Sequence, residues 1–324
     1  MILILSNKWD VTVDFVVREL RNRGAQFLRI NTEDLVRDGI EVHLPEFRLV
    51  LGKTGQAIEL QNQVKSIWYR RPGKAFDQLP QEQRPSSAIQ QFVNDQWYSC
   101  LEALELLPGI RWINHPKHND RMESKVRQLH LASQLGFVIP RTLISNSYTA
   151  ITRFCNDEGN NIVGKSLYAP LIEEPEQDYF IFSNIVSNCD LNEQAGLQVA
   201  PTIFQQLISL KTDYRVTVVG GRVFPVRLTS KSESPLPLDW RTQGNVSYEL
   251  CDLPESITTL CREYVKQNEL YFGAIDLVEF DGEFYFLEIN PNGEWGWLEK
   301  SAGVRITEAI CDLLQNEDAA PTIR

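Results

Sequence analysis

The sequence predicts an α/β (α+β) protein of two or three lobes. Three observations carry this expectation. The chain opens on a strand, helix, strand unit, and its length is about twice that of a common single domain. Its last third alternates long β-branched and aromatic runs with segments of helical period.

The first unit consists of the apolar run ILIL, a helical pattern over 11–23 ended by Gly24, and a second apolar run through Phe27, Leu28 and Ile30. The turn SNKWD that follows the first strand has no glycine. Its backbone cannot close onto a pyrophosphate as a G-x-G-x-x-G turn does, so no dinucleotide site is expected there. A hairpin over 41–60, a strand over 64–70 and a long helix over 86–107 stopped by Pro108-Gly109 complete the first lobe. After IRWINHP the pattern predicts a helix over 119–135 stopped by Gly136, a short helix over 147–156, and strands near 161–167 and 179–186. From Thr202 the strands lengthen, two of them meeting at Gly220-Gly221, a pair suited to positive φ. Helices near 254–268 and 304–314 flank the strands GAIDLVEF and EFYFLEIN.

Composition narrows the partners. A net charge of -11 repels a phosphate backbone, so nucleic acid is not expected as a partner. No apolar stretch approaches the roughly 20 residues needed to span a bilayer, so no membrane insertion is expected. The cysteines fall at irregular intervals with no CxxC pair and no secretory leader, which reads as reduced thiols in a cytoplasmic protein. His115 and His118 flank Pro116, but no further zinc ligands lie near them, and they read as loop residues.

The segment GAIDLVEFDGEFYFLEINPNG holds most of the chemistry. Asp276, Glu288 and Asn290 are oxygen donors inside strands otherwise built for burial. Spacing alone leaves two readings open: solvent-facing alternates of an amphipathic hairpin, or ligands of a hard cation such as Mg2+ that keeps some waters and shares phosphate oxygens. Strand parity distinguishes them. A two-residue turn at Asp281-Gly282 pairs Phe280 with Glu283, an odd sum that sends Asp276 and Glu288 to opposite faces. A shared ion therefore requires an odd-length loop or a bulge in this hairpin. Elsewhere Lys125 on a helix face and Lys165 inside NNIVGKSL are either solvated lysines or cations suited to phosphate, and Asp213 and Arg215 lie two apart on one strand face.

In this order, two lysines, IFQQLI, D-x-R and then D-x11-E-x-N, the chain resembles the ATP-grasp ligases from about residue 114 to 314. It is most similar to the graspetide (microviridin-type) synthetases, through VKSIWYRRP, SKVRQLHLASQLGFVIPRTLISN, DWR, GAID and FLEINPNGEW. The resemblance implies an ATP-grasp fold with an N-terminal pre-ATP-grasp domain (1–114), a central domain (115–200) and a C-terminal domain (201–324). It implies a soluble ligase using ATP and Mg2+, and a homodimer. Its partner would be a ribosomally made precursor peptide with a leader, whose Asp or Glu side chains are activated as acyl phosphates and joined to Ser or Thr hydroxyls or Lys amines.

The site residues follow from the same resemblance. Lys125 and Lys165 would face the ATP phosphates, backbone groups near Gln206 and Leu207 the adenine, and Asp213 the ribose. Gln206 stands where many members have Glu. Asp276, Glu288 and Asn290 match the metal ligands, Arg215 the arginine facing the transferred phosphoryl group, and Arg241 of DWR a second phosphate-side arginine. The acidic segment 171–201 corresponds to the leader-binding hairpin and helix, with Asp190 and Glu193 as its candidates. Trp295 and Trp297 are read either as part of the active-site rim or as packing under a loop. The alternatives are a ligase that adds a free amino acid to a protein tail, and a nucleotide-binding partner without catalysis.

Overall fold

The apolar residues 2–5 offer no polar face, so β1 (Ile2–Ser6) must be covered on both sides, and it is buried along its whole length. In the computed structural model, residues 1–53, 56–61, 63–168, 171–172, 179–187, 194–231, 236–240 and 245–315 are described. After β1, α1 (Val11–Asn22) starts at Asp10, whose side chain accepts from the Thr12 amide at 3.0 Å. β2 (Phe27–Asn31) and the single turn α2 (Leu35–Asp38) lead to β3 (Ile40–His43), β4 (Arg48–Lys53) and β5 (Gln56–Glu59). These last three form an antiparallel sheet, where a single hairpin was expected over 41–60. Next come β6 (Ser66–Tyr69), α3 (Ser87–Leu101) continued by a 3-10 segment over Glu102–Leu106, and β7 (Arg111–Ile113). Strands β2, β1, β6 and β7 make a parallel sheet in that order.

Where one helix was expected over 119–135 there are two, α4 (Pro116–Met122) and α5 (Lys125–Leu135). Ser124 breaks the run, because its hydroxyl caps α5 by accepting from the Arg127 amide. Gly136 then ends α5 at φ 109°, a conformation that favours glycine. His118 lies inside α4 and His115 caps it, so the loop expected at NHPKHN is a helix start. β8 (Thr142–Ser145), α6 (Tyr148–Asp157) and β9 (Asn161–Lys165) follow. The strand expected over 179–186 is split: β11 (Tyr179–Phe180) pairs with β10 (Leu171–Ile172), and β12 (Asn184–Ser187) pairs with β9. After α7 (Gln194–Val199), β13 (Thr202–Gln206) closes a four-stranded antiparallel sheet ordered β12, β9, β13, β8.

The last sheet has five strands. β14 (Thr212–Val219) and β15 (Arg222–Ser230) meet at Gly220-Gly221 as expected, β16 (Val246–Leu250) pairs with β15, and α8 (Glu255–Gln267) crosses to β17 (Phe272–Phe280) and β18 (Glu283–Asn290). The order is β16, β15, β14, β17, β18. One core packs Leu129, Phe137 and Tyr264 from the helical side against Ile275, Phe286 and Ile289 of the hairpin. Two further helices, α9 (Gly296–Ala302) and α10 (Ile306–Gln315), complete the chain, and Ile306, Ile310 and Leu314 of α10 join Ile4, Val13 and Val16 of the first lobe in a second core.

Two buried polar side chains tie the first lobe to the segment after β18. Arg70, 1% exposed, lies 3.0 Å from Asp10 through Nε and donates from Nη1 to the carbonyls of Asn292 (2.9 Å) and Gly293 (3.1 Å). Its guanidinium sits 4.9 Å from the Trp295 ring centre. Asn114 accepts from the amides of Tyr271 and Phe272 at the start of β17 and donates to the Pro291 carbonyl. Cys100, Cys155, Cys251, Cys261 and Cys311 are free thiols, and no helix among the described residues is long and apolar enough to cross a membrane.

Candidate active site

The register of three neighbouring strands puts five polar side chains on one face. Arg215 of β14 is paired with Asp276 of β17, and Asp276 with Glu288 of β18. Asp213 and Asn290 each lie two residues along their strands from these partners and so share the face. The hairpin turn has only two residues, since Phe280 pairs with Glu283. The required correction comes from a bulge: Asp276 pairs with Glu288 but Leu277 with Phe286, which leaves Leu287 as the extra residue. Phe286 and Glu288, two apart, can then point to opposite sides. Phe286 is fully buried in the core while Glu288 lines a cavity.

That cavity has a volume of about 360 Å³ and lies between the five-stranded sheet and the sheet of β9 and β13. The structure brings Lys125, Lys165, Gln206, Asp213, Asp276, Glu288 and Asn290 into its lining. Lys125 is the first residue of α5 rather than a mid-helix position, and its Nζ lies 3.0 Å from Glu288 Oε2. One turn on, Gln128 fixes the helix to β18: its amide donates to the Ile289 carbonyl at 2.9 Å and accepts from the Ile289 amide at 3.1 Å. Lys165 ends β9, opposite Ile203 of β13. Gln206 ends β13 with its side-chain oxygen 3.4 Å from the Arg141 amide.

Leu207 is half-buried beside the cavity, and the lining position falls to Ile208. Arg215 is 8% exposed, with Nη1 3.2 Å from Asp276 Oδ1 and its guanidinium 6.0 Å from the Trp240 ring centre, beneath the lining rather than part of it. Arg241, Asp190 and Glu193 lie outside the described residues. Trp295 is not at the rim. It is 1% exposed, its ring lies 5.2 Å from that of Phe272 at a tilt of 52°, and its Nε1 donates to Thr307. Trp297 packs 5.3 Å from Trp240, which lines the cavity.

Sequence reasoning missed Lys211, Glu123 and Gln128, all of which line the cavity, and named Asp239 and Trp240 only as parts of a motif. Gln128 was findable from its i+3 spacing to Lys125. Lys211 ends the short connection LISLK between β13 and β14, and nothing in that run marks it.

The electrostatics follow from burial. Burial lowers the Lys165 ammonium to about 8, with Glu288 and Asp276 opposing the shift and Lys125 and Lys211 adding to it. Burial also raises the carboxyls of Asp213, against the pull of Lys211, and of Glu123. The face-sharing carboxylates and the amide suit a hard cation. No cluster of three or more His, Cys, Asp or Glu side chains able to cage a metal occurs among the described residues. A cation here would therefore complete its shell with water and phosphate oxygens, as Mg2+ does. The lysines opposite suit a polyphosphate.

No family model matches the chain, and no curated protein matches it. Solved structures do. The macrocyclase MdnC from Microcystis aeruginosa MRC, bound with precursor peptide MdnA, is 27% identical over 97% of this chain and 99% of that one, with a TM-score of 0.85. A Chryseobacterium gregarium RiPP-associated ATP-grasp ligase, in complex with ADP and a leader and core peptide, is 26% identical over 99% and 97%, also at 0.85. The ATP-grasp ligase PsnB, complexed with a phosphomimetic variant of its minimal precursor, Mg and ADP, is 21% identical over 98% of both chains at 0.77. The chain has the ATP-grasp fold, and it resembles the graspetide synthetases in particular.

Proposed function

We propose that this protein is an ATP- and Mg2+-dependent peptide macrocyclase. It would activate Asp or Glu side chains of a ribosomally made precursor as acyl phosphates and join them to Ser or Thr hydroxyls, or to Lys amines. The observation that carries this reading is the single sheet face holding Asp213, Arg215, Asp276, Glu288 and Asn290, set across one cavity from Lys165. Such a reaction brings a carboxylate to a polyanion, so fixed cations must cancel repulsion and hold the reactants in line. Bound Mg2+ would supply part of that neutralisation. Lys125 and Lys165 would hold the phosphates, Asp213 the sugar, and Arg215 the charge that develops on the transferred group. Arg241 would assist it, and the backbone near Gln206 and Leu207 would meet the adenine. In this reading segments 1–114, 115–200 and 201–324 are the three domains, the nucleotide lies between the second and third, and Asp190 and Glu193 contact the leader.

The test is a mass measurement. With ATP, Mg2+ and a cognate precursor, each linkage removes one water mass from the peptide while ATP becomes ADP and phosphate. A mass gain on a protein tail would instead establish an amino-acid-adding ligase, and nucleotide binding without turnover a silent partner.

A second test uses pH. A polyphosphate beside Lys165 favours its charged form, while the free ammonium loses its proton near pH 8. ADP affinity should stay level up to about pH 8 and then fall by up to about tenfold per pH unit. Lys165→Met should bind more weakly at neutral pH and lose that slope. Calorimetric titration measures both, and a flat wild-type profile through about pH 9 counts against contact between Lys165 and the phosphates.

A further inference from the structure

Lys211 is a cavity-lining cation with no part in the reading above. It follows Leu210, which is 86% exposed and held at φ 54°. That left-handed turn is unfavourable for a non-glycine residue, and beyond it the Lys211 side chain is only 11% exposed. Its Nζ pairs with Oδ1 of Asp213, whose residue is 6% exposed. The other carboxylate oxygen, Oδ2, is buried and has no hydrogen-bond partner among the described residues. A buried acceptor left without a donor is unfavourable, so its persistence in a cavity wall points to a ligand that brings donors.

We propose that Lys211 is a positioning residue that makes this cavity select nucleotides bearing the vicinal sugar hydroxyls over those that lack them: by taking Oδ1 of Asp213, it leaves Oδ2 fixed to accept from those hydroxyls. The proposal rests on the assignment of Asp213 to the sugar. Lys211 also counters the burial that pushes the Asp213 carboxyl up, helped by Lys165 and opposed by Asp239. A lysine serving only the phosphates would not need to lie against this carboxylate. Lys125 and Lys165 already supply cations to the cavity.

The experiment titrates ADP and 2′,3′-dideoxy-ADP, each with Mg2+, into wild type, Lys211→Met and Lys211→Arg. The wild type should prefer ADP by about tenfold, the worth of one charge-assisted hydrogen bond. In Lys211→Met that preference should shrink to about twofold or less, with dideoxy-ADP affinity little changed, and Lys211→Arg should keep it. Equal loss for both nucleotides in Lys211→Met overturns the proposal and makes Lys211 a phosphate cation. Absence of any preference in the wild type overturns the sugar assignment of Asp213 instead. Should Lys211→Met lose its cooperative unfolding transition, Lys211→Gln carries the same comparison: a reduced preference supports the proposal and an unchanged one overturns it.

Discussion

Glu288→Gln and Asn290→Ala each lower ligation turnover by on the order of 100-fold or more, with the fold retained. Both side chains lie on the cavity face beside Asp276, and neither fills the core behind it. Glu288 is one of the two carboxylates assigned to the cation in the proposed function, so its removal would weaken cation binding and leave the phosphates less neutralised. The cost to stability is small. Glu288 pairs with Lys125 at 3.0 Å, but the two side chains remain 26% and 23% exposed, and such a pair contributes on the order of 1 kcal/mol or less. Asn290 accepts from the Asn292 amide at 3.0 Å, so its truncation also loosens the turn that follows β18. Turnover is measured at saturating Mg2+ alongside thermal unfolding. Near-normal turnover in either folded variant would place the cation elsewhere.

Arg70→Met destabilises the protein by about 3–5 kcal/mol, because it leaves Asp10 as an unpaired charge in the interior. The two side chains are each 2% exposed, and the carbonyls of Asn292 and Gly293 lose their donor in the same step. Burial lowers the Arg70 guanidinium to about 10, with Asp10 opposing the shift, so it remains charged at neutral pH. Removing both charges should cost less than removing one. Arg70→Met combined with Asp10→Asn is therefore expected to recover part of the loss, which urea unfolding of the single and double variants measures. If the double variant is no more stable than Arg70→Met, the ion pair is not the source of the cost.

Much of the site was legible as chemistry before it was legible as geometry. Residue types at the spacing D-x11-E-x-N state which atoms could hold a hard cation, and the period of two states that a plain two-residue turn would separate them. The sequence could therefore demand a bulge or an odd loop. It could not choose between them, because Asp281-Gly282 allows the two-residue turn that forms, and the extra residue sits at Leu287, where nothing in FYFLEIN marks it. That choice belongs to packing: Phe286 must reach Phe137 and Tyr264 while Glu288 faces the cavity. Helix ends were partly readable for a related reason. Gly136 stops α5 through its own backbone preference, whereas the break at Ser124 depends on a cap that competes with a continuous helical pattern.

By itself the sequence determined most of the strands and helices, the oxygen-bearing residue types at Asp276, Glu288 and Asn290, and the resemblance to ATP-grasp ligases, since these rest on local preference and residue type. Only the tertiary structure decided burial. It placed Trp295 in the core beside Trp68 and Phe272, set Arg70 between Asp10 and the segment after β18, and turned Lys211 inward onto Asp213. The desolvation that gives each of these groups its role comes from residues distant in the chain, and no local pattern encodes it.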